Sequence, residues 1–67
     1  MTFTLSPRER EVALLVAEDL TDKEIGSLLS ISTRTVQGYL DRIGRKIGAE
    51  TSSRARRRVI ARWIAAA

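Results

Sequence analysis

Two helix starts, about eleven residues apart, lie within residues 21–40 of this 67-residue chain. Thr21 supplies a capping oxygen for the first start and Ser32 for the second, and Glu24 completes a capping box with Thr21. Gly26 lies where the second helix would cross the first, and a side chain there would push them apart. Two short helices at a steep angle around a tight turn form a helix-turn-helix, which the spacing predicts here.

Apolar residues repeat at helical spacing along the rest of the chain and predict four α-helices. No segment alternates with period two, so we expect an all-α fold in one small domain, residues 1–67. The expected bounds are about 7–18, 22–29, 33–47 and 53–65, with the helix-turn-helix over about 22–41. The expected inward residues are Val12, Leu15 and Val16 in the first helix, Ile25, Leu28 and Leu29 in the second, and Val36, Leu40, Ile43 and Ile47 in the third.

The composition excludes several classes of function. The chain contains no histidine and no cysteine, so the usual general base, zinc ligands and disulfides are missing. We therefore expect no enzyme, no catalytic residue, no metal site and no cofactor. No apolar run approaches the roughly 18 residues of a membrane span, and the N-terminus lacks a signal-peptide pattern. The expected location is the cytoplasm, in association with the nucleoid and with no membrane contact.

Charge is distributed unevenly along the chain. Residues 1–30 carry three basic and six acidic side chains, whereas residues 31–67 carry nine basic and two acidic ones. The basic half begins where the second helix of the motif begins, so a polyanion would draw that half toward itself. Because this helix of a helix-turn-helix suits the DNA major groove, double-stranded DNA is the expected partner.

Four linked blocks of sequence support this interpretation. They read LSPREREV at 5–12, KEIG at 23–26, LSIS at 29–32 followed by TV at 35–36, and Ile43 followed by KIGA at 46–49. Together they resemble the C-terminal DNA-binding domain of the LuxR (GerE-type) family of bacterial transcription regulators. The resemblance implies a tetrahelical LuxR-type domain whose third helix reads DNA and whose fourth helix forms a homodimer. It also implies a receiver or ligand-binding domain ahead of this one in a full regulator.

Four positions depart from the family pattern. Gln37 stands for a common lysine, Tyr39 for a common histidine, Asp19 for a frequent glycine and Ser52 for a common arginine. The loss of two cations weakens attraction to backbone phosphates. Arginines at 54 and 56–58 lie nearby and are expected to replace these cations in part. The departures leave the fold intact and the recognised DNA sequence open.

Helix geometry sorts the side chains of the third helix. The face opposite its apolar residues carries Arg34, Gln37, Gly38, Asp41 and Arg45. The resemblance places Gln37, Gly38 and Asp41 where bases are contacted, and we add Arg34 to these candidates. Gln37 can pair with an adenine edge, Gly38 permits close approach, and Asp41 can accept from a cytosine amino group. The alternative for Asp41 is an ion pair with Arg45, four residues on.

Phosphate contacts form a second class. The first turn of the third helix offers free N–H groups and two threonine hydroxyls, which favour an anion. Tyr39 is expected to pack against the core first and to reach a phosphate second. The expected phosphate-contacting residues are Lys23, Thr33, Thr35, Tyr39, Arg42, Arg45 and Lys46.

The fourth helix carries apolar residues over about 180° of its circumference, wider than the roughly 100° stripe that a small core needs. The excess predicts a dimer interface in which Trp63 and Ile64 are not needed for the core. The alternative is that Trp63 covers the core from outside. Arg56 lies inside the stripe where the family often has valine. An isolated domain that is monomeric in solution and dimeric on DNA is expected, with an interface of Val59, Ile60, Trp63 and Ile64.

Two other functions stay open. A sigma-factor C-terminal domain has a similar opening and a similar helix pair, although the blocks at 35–36 and 43–48 favour the LuxR type. A protein-interaction module that holds RNA polymerase or a partner regulator would use the acidic first helix and the apolar face of the fourth. Salt separates these alternatives, because DNA affinity falls steeply with ionic strength and a largely apolar contact does not.

Overall fold

The computed structural model describes residues 5–48 and 53–66. These residues form four α-helices and no strand: α1 (Pro7–Ala17), α2 (Asp22–Leu29), α3 (Thr33–Ile47) and α4 (Ser53–Ala66). The all-α, four-helix fold class is confirmed, and each helix begins and ends within one residue of its expected bound. Within these ranges, no helix is long and apolar enough to cross a membrane.

Side-chain caps set the starts of the first two helices. The Ser6 hydroxyl accepts from the Glu9 N–H at 3.2 Å, and the Glu9 carboxylate accepts from the Ser6 N–H at 2.8 Å. Thr21 and Glu24 repeat this reciprocal pair at α2, at 3.1 and 2.8 Å. Each cap stabilises its helix by about 1 kcal/mol. The N-terminal caps therefore fix where both helices begin.

Two residues with positive φ end α1 and α2. Asp19 (φ 70°) and Ser30 (φ 58°) adopt the left-handed conformation. After α1, the Leu20 N–H donates across the turn to the Leu15 carbonyl at 3.2 Å. Glycine usually fills such a position, but the short polar side chains of Asp and Ser tolerate it at a modest cost. The positive φ of Asp19 is the conformation that favours glycine at this position, and Asp19 adopts it in this chain.

Gly26 allows the tight turn between α2 and α3. A Cβ atom on Gly26 would lie 2.7 Å from the Ile31 carbonyl oxygen and 3.6 Å from the Thr33 nitrogen. The Gly26 carbonyl also accepts from the Ile31 N–H at 2.9 Å. The sequence led us to expect a clash between the two helices. The obstacle is in fact the backbone of the turn and of the first residue of α3.

The core lies where α1 packs against α3 and α4, and α2 packs against α3. Complete burial of an aliphatic side chain stabilises the fold by about 1.5–3 kcal/mol, so this cluster dominates stability. Leu15 and Ile47 are half-buried at its edge. The buried apolar residues are Leu5, Val12, Ala13, Val16, Ile25, Val36, Leu40, Ile43, Ile60 and Ile64.

The expected burial of Leu28 is wrong, because its side chain is 63% exposed. The buried face of α2 is centred between Ile25 and Gly26. At 3.6 residues per turn, Leu28 points about 110° away from that centre. An eight-residue helix therefore buries a narrower stripe than its apolar residues indicate.

The expectation that Ile64 is not needed for the core is also wrong. Ile64 is 8% exposed and Ile60 is fully buried, so both belong to the core of the domain itself. The wide apolar stripe of α4 is used because α4 packs against both α1 and α3. Trp63 packs against the same core from a half-buried position, which matches the alternative we gave for it. Val59 remains 37% exposed.

Candidate nucleic-acid interface

The α3 helix has one fully buried face and one exposed polar face. Val36 and Ile43 are completely buried, whereas Arg34 and Gln37 are exposed on the other side of the helix. A Cβ atom on Gly38 would meet nothing closer than the Arg42 guanidinium at 4.0 Å. The helix is therefore fixed by the core and presents donors, acceptors and bare backbone outward.

The N-terminus of α3 is polar and carries no acidic residue in its first turn. The Ser32 hydroxyl accepts from the Thr35 N–H at 3.0 Å and lies 2.9 Å from the Thr35 hydroxyl. Thr33 and Thr35 are exposed, as is Lys23 in the first turn of α2. Backbone N–H groups and the helix dipole favour anions at such a terminus. The expected phosphate contacts at this end are therefore accessible.

Asp41 is held by two arginines. Arg45 lies 2.9 Å from its Oδ2 atom, and Arg56 of α4 donates to its Oδ1 atom at 3.3 Å. The ion pair that we gave as the alternative for Asp41 is thus present, together with a contact from α4 that the sequence did not reveal. Asp41 remains 46% exposed as a side chain, so its remaining acceptor sites are reachable.

Arg56 is unusual among the basic residues because its side chain is only 15% exposed. Its Nε atom is buried and has no hydrogen-bond partner within the described ranges. An unpaired buried donor costs about 1–3 kcal/mol. The burial of Nε therefore offsets part of the stability that the contact of Arg56 with Asp41 provides.

Lys46 is paired within the domain although its side chain is 40% exposed, so the phosphate contact expected of it stays a prediction and would compete with this pairing. Its ammonium lies 2.7 Å from the Oε1 atom of Glu9, whose side chain is only 4% exposed. The hydrogen bond from Lys46, and next the one from the Ser6 N–H, hold the pKa of Glu9 below its ordinary value although burial opposes this. If Lys46 moved to a phosphate, the buried Glu9 carboxylate would lose its partner.

Arg57 connects α4 to the start of α2. It donates to the Asp22 carboxylate and to the Leu20 carbonyl. Arg56 and Arg57 were both expected to replace lost phosphate-binding cations, but both are directed inward, while Arg58 is exposed. Ser52 and the side chain of Arg54, which entered the same expectation, lie outside the described residues.

Tyr39 packs against the core and supports Arg42. The Tyr39 ring is half-buried, and the Arg42 guanidinium carbon lies 4.9 Å from its centroid. Such a cation–π contact orients an exposed arginine at a modest gain in free energy. Packing, the first role expected for Tyr39, is observed.

The contacts that the sequence did not reveal are those from Arg56 to Asp41, from Arg57 to Asp22 and from Lys46 to Glu9. Each joins residues 15 to 37 positions apart. For the pairs of Lys46 with Glu9 and of Arg57 with Asp22, the sequence signal was the opposite charge of the two halves of the chain. Asp41 and Arg56 both lie in the basic half, and no such signal marks their pair.

Four helices arranged around α2, a tight turn and α3, with a polar and basic face on α3, define a helix-turn-helix domain. The family described as "Bacterial regulatory proteins, luxR family" matches residues 3–65, and this chain belongs to that family. The family consists of transcription regulators and is not a class of enzymes.

Curated relatives carry names that agree with this assignment. The chain is 43% identical over 51 residues to the spore germination protein GerE of Bacillus subtilis. The aligned segment covers 76% of this chain and 69% of that protein. It is 33% identical over 63 residues to the probable HTH-type transcriptional regulator GfsR of Streptomyces halstedii. This aligned segment covers 94% of this chain and 24% of that regulator.

A putative HTH-type transcriptional regulator of Mycobacterium tuberculosis is 44% identical over 45 residues, 67% of this chain. The aligned part spans only 5% of that regulator. No solved structure matches the chain.

Proposed function

We propose that this domain binds double-stranded DNA sequence-specifically, with α3 in the major groove, as the DNA-binding part of a bacterial transcription regulator. The observation that carries the proposal is the division of α3 into a fully buried apolar face and an exposed face with polar and basic residues. A recognition helix needs both properties, because the core fixes its orientation while the outer face contacts base edges.

The exposed face divides into two kinds of contact. Gln37 can form a bidentate pair with adenine, and Gly38 leaves room for the backbone to approach the base edges. The base-contacting residues of the proposal are Arg34, Gln37, Gly38 and Asp41. The phosphate-contacting residues are Lys23, Thr33, Thr35, Arg42 and Arg45, with the Tyr39 hydroxyl as a further candidate. Lys46 stays a candidate as well, although its contact with a phosphate would compete with its pairing to Glu9.

A binding-site selection with the purified domain and random duplexes tests the proposal. One sequence motif should be enriched, and the affinity for it should fall steeply with salt. Failure to enrich any sequence would refute sequence-specific binding.

Two variants then separate base contacts from phosphate contacts. Gln37→Ala should cost about 1–3 kcal/mol on the best site and relax the preference at one base pair. The matched variant Arg42→Ala should weaken all sequences alike and reduce the salt slope by about one. If Gln37→Ala also weakened all sequences alike, its assignment as a base contact would be wrong.

The proposed DNA-bound form is a two-fold homodimer on an inverted repeat, with α4 at the interface. Its support is Val59, which is 37% exposed on α4, beside the half-buried Trp63. Ile60 and Ile64 support this surface from the core and do not form it. Half-sites about one helical turn apart would place both recognition helices on the same face of the duplex.

Val59→Asp is a cleaner test of the dimer than Ile64→Asp, which would place a charge in the core. Val59→Asp should keep the helical circular dichroism spectrum and abolish cooperative occupancy of two half-sites. Ala65→Asp introduces the same charge at another exposed position of α4 and serves as the control. Equal cooperativity in the two variants would remove α4 from the interface.

A contact with RNA polymerase is the second proposed function. Leu14 is 46% exposed, and the exposed Glu11 and Glu18 lie three residues before it and four after it on the same face of α1. Leu14→Ser should reduce binding of the DNA-bound domain to bacterial RNA polymerase and leave DNA affinity unchanged. Unchanged polymerase binding would restrict the domain to DNA contacts.

A further inference from the structure

We propose that Arg56, on α4, is a positioning residue for DNA readout, because it holds the carboxylate of Asp41 on the recognition helix. The inference rests on the proposed function of α3 in base contact. It names a residue outside α3 that determines specificity without touching a base.

The contact joins α4 to the outer face of α3. Asp41 is the only acidic residue of α3, and both of its carboxylate oxygens are occupied by guanidinium groups. Arg56 donates to Oδ1 at 3.3 Å, and Arg45 lies 2.9 Å from Oδ2. Each oxygen has a second lone pair, so Asp41 can still accept a hydrogen bond from a cytosine amino group.

The two arginines differ in how firmly they can hold this carboxylate. The Arg45 side chain is 73% exposed, and its pair with Asp41 is an i,i+4 contact on the surface of one helix. Such contacts are weak and break easily, so Arg45 is free to turn to a phosphate. Arg56 is 15% exposed and one helical turn before the fully buried Ile60. It therefore stays in place when Arg45 moves.

The burial of Arg56 indicates that its guanidinium has a role beyond packing. An apolar side chain at this position would avoid burying the Nε atom without a partner. What the arginine provides in return is the hydrogen bond to Asp41. A carboxylate that lacked this bond would rotate freely in the groove and lose its direction toward one base.

The test uses the 67-residue chain and the duplex that ranks first in a binding-site selection with the unaltered protein. Affinity is measured for that duplex and for each single-base variant of it, with Asp41→Asn, Arg56→Met and the double variant. Both single variants should reduce discrimination at the same base pair by about five-fold or more. The double variant should lose no more than the worse single one.

Arg58→Met is the matched control, because it removes the same charge from an exposed position two residues along α4. It should lower affinity for every duplex alike. The proposal is overturned if Arg56→Met behaves like Arg58→Met, if it affects a different base pair from Asp41→Asn, or if the two effects simply add.

Circular dichroism melting shows whether each variant is folded. If Arg56→Met does not fold, Arg56→Leu replaces it with the same expected result, because leucine also lacks a donor and is a good helix former. If the unaltered chain selects no sequence at all, the proposed function of α3 has failed instead, which is a different outcome from a failed positioning role.

Discussion

Replacing Gly26 by alanine tests whether the turn of the helix-turn-helix requires bare backbone contact. The new Cβ atom would lie 2.7 Å from the Ile31 carbonyl oxygen, whereas ordinary van der Waals contact begins at 3.4 Å. The opposing atom belongs to the backbone and cannot rotate away. Any separation also stretches the 2.9 Å hydrogen bond from the Ile31 N–H to the Gly26 carbonyl. We therefore expect α2 and the start of α3 to move apart by several tenths of an ångström.

Two opposing effects set the size of the change. Alanine is the better helix former by about 1 kcal/mol. Overpacking a rigid contact costs about 1–3 kcal/mol, and weakening a hydrogen bond costs about 1 kcal/mol more. The two unfavourable effects outweigh the gain in helix propensity, and the free energy of unfolding should fall by about 1–3 kcal/mol. In a domain of this size, each kcal/mol corresponds to about 4–8 °C in Tm.

Thermal melting followed by far-UV circular dichroism measures this change. Gly38→Ala is the control, because its Cβ atom would have open space and no contact closer than 4.0 Å. There the helix propensity acts alone and Tm should rise, while DNA affinity should fall if base edges approach the bare backbone. A similar rise in Tm for Gly26→Ala would refute the role that we assign to the glycine at the turn.

Three further changes test the internal contacts. The depressed pKa of Glu9 in the folded state stabilises the protein above the pKa of an unfolded glutamate, and this stability is lost as pH falls. Urea unfolding should therefore show a declining free energy from about pH 5 to pH 3, with a smaller decline in Glu9→Gln. Lys46→Met should lower the free energy of unfolding by about 1–3 kcal/mol, because it leaves the Glu9 carboxylate without its cation. In DNA titrations at several salt concentrations, Lys46→Met should change the salt slope less than Arg42→Ala does. Asp19→Gly should raise Tm, because relief of the left-handed strain, about 1–2 kcal/mol for an L-residue, exceeds the entropic cost of glycine, about 0.5–1 kcal/mol.

Local signals in the sequence are enough to place the helices. Ser6 and Thr21 cap through oxygens that accept from N–H groups three residues on, and the capping box predicted for Thr21 and Glu24 forms, as does one of Ser6 and Glu9. Gly48 ends α3 in the left-handed conformation, which glycine adopts without strain. These features depend on neighbours within one helical turn. They can therefore be predicted from local sequence without the tertiary fold.

Burial and pairing depend on which helices meet, and here the sequence was a poorer guide. Leu28 and Ile64 have similar hydropathy, yet the first is 63% exposed and the second only 8%. The difference arises because α2 packs mainly against α3 and only lightly against α1, whereas α4 packs extensively against both α1 and α3. Periodicity identifies the apolar stripe of a helix, but it does not show how much of that stripe is buried in the folded protein.

Oppositely charged residues far apart in the chain bind each other in the folded domain, and two of the three pairs join the acidic half to the basic half. Glu9 binds Lys46, Asp22 binds Arg57, and Arg56 binds Asp41. Each pair uses a cation that the sequence suggested as a phosphate contact. The number of basic residues in the second half, nine, is therefore larger than the number of cations that are free to contact phosphates. These pairs also join α1 to α3, α2 to α4 and α3 to α4. The same charge asymmetry that suggested a nucleic-acid partner therefore helps to orient the recognition helix, and the exposed cations on α2 and α3, namely Lys23, Arg34, Arg42 and Arg45, provide the attraction to DNA.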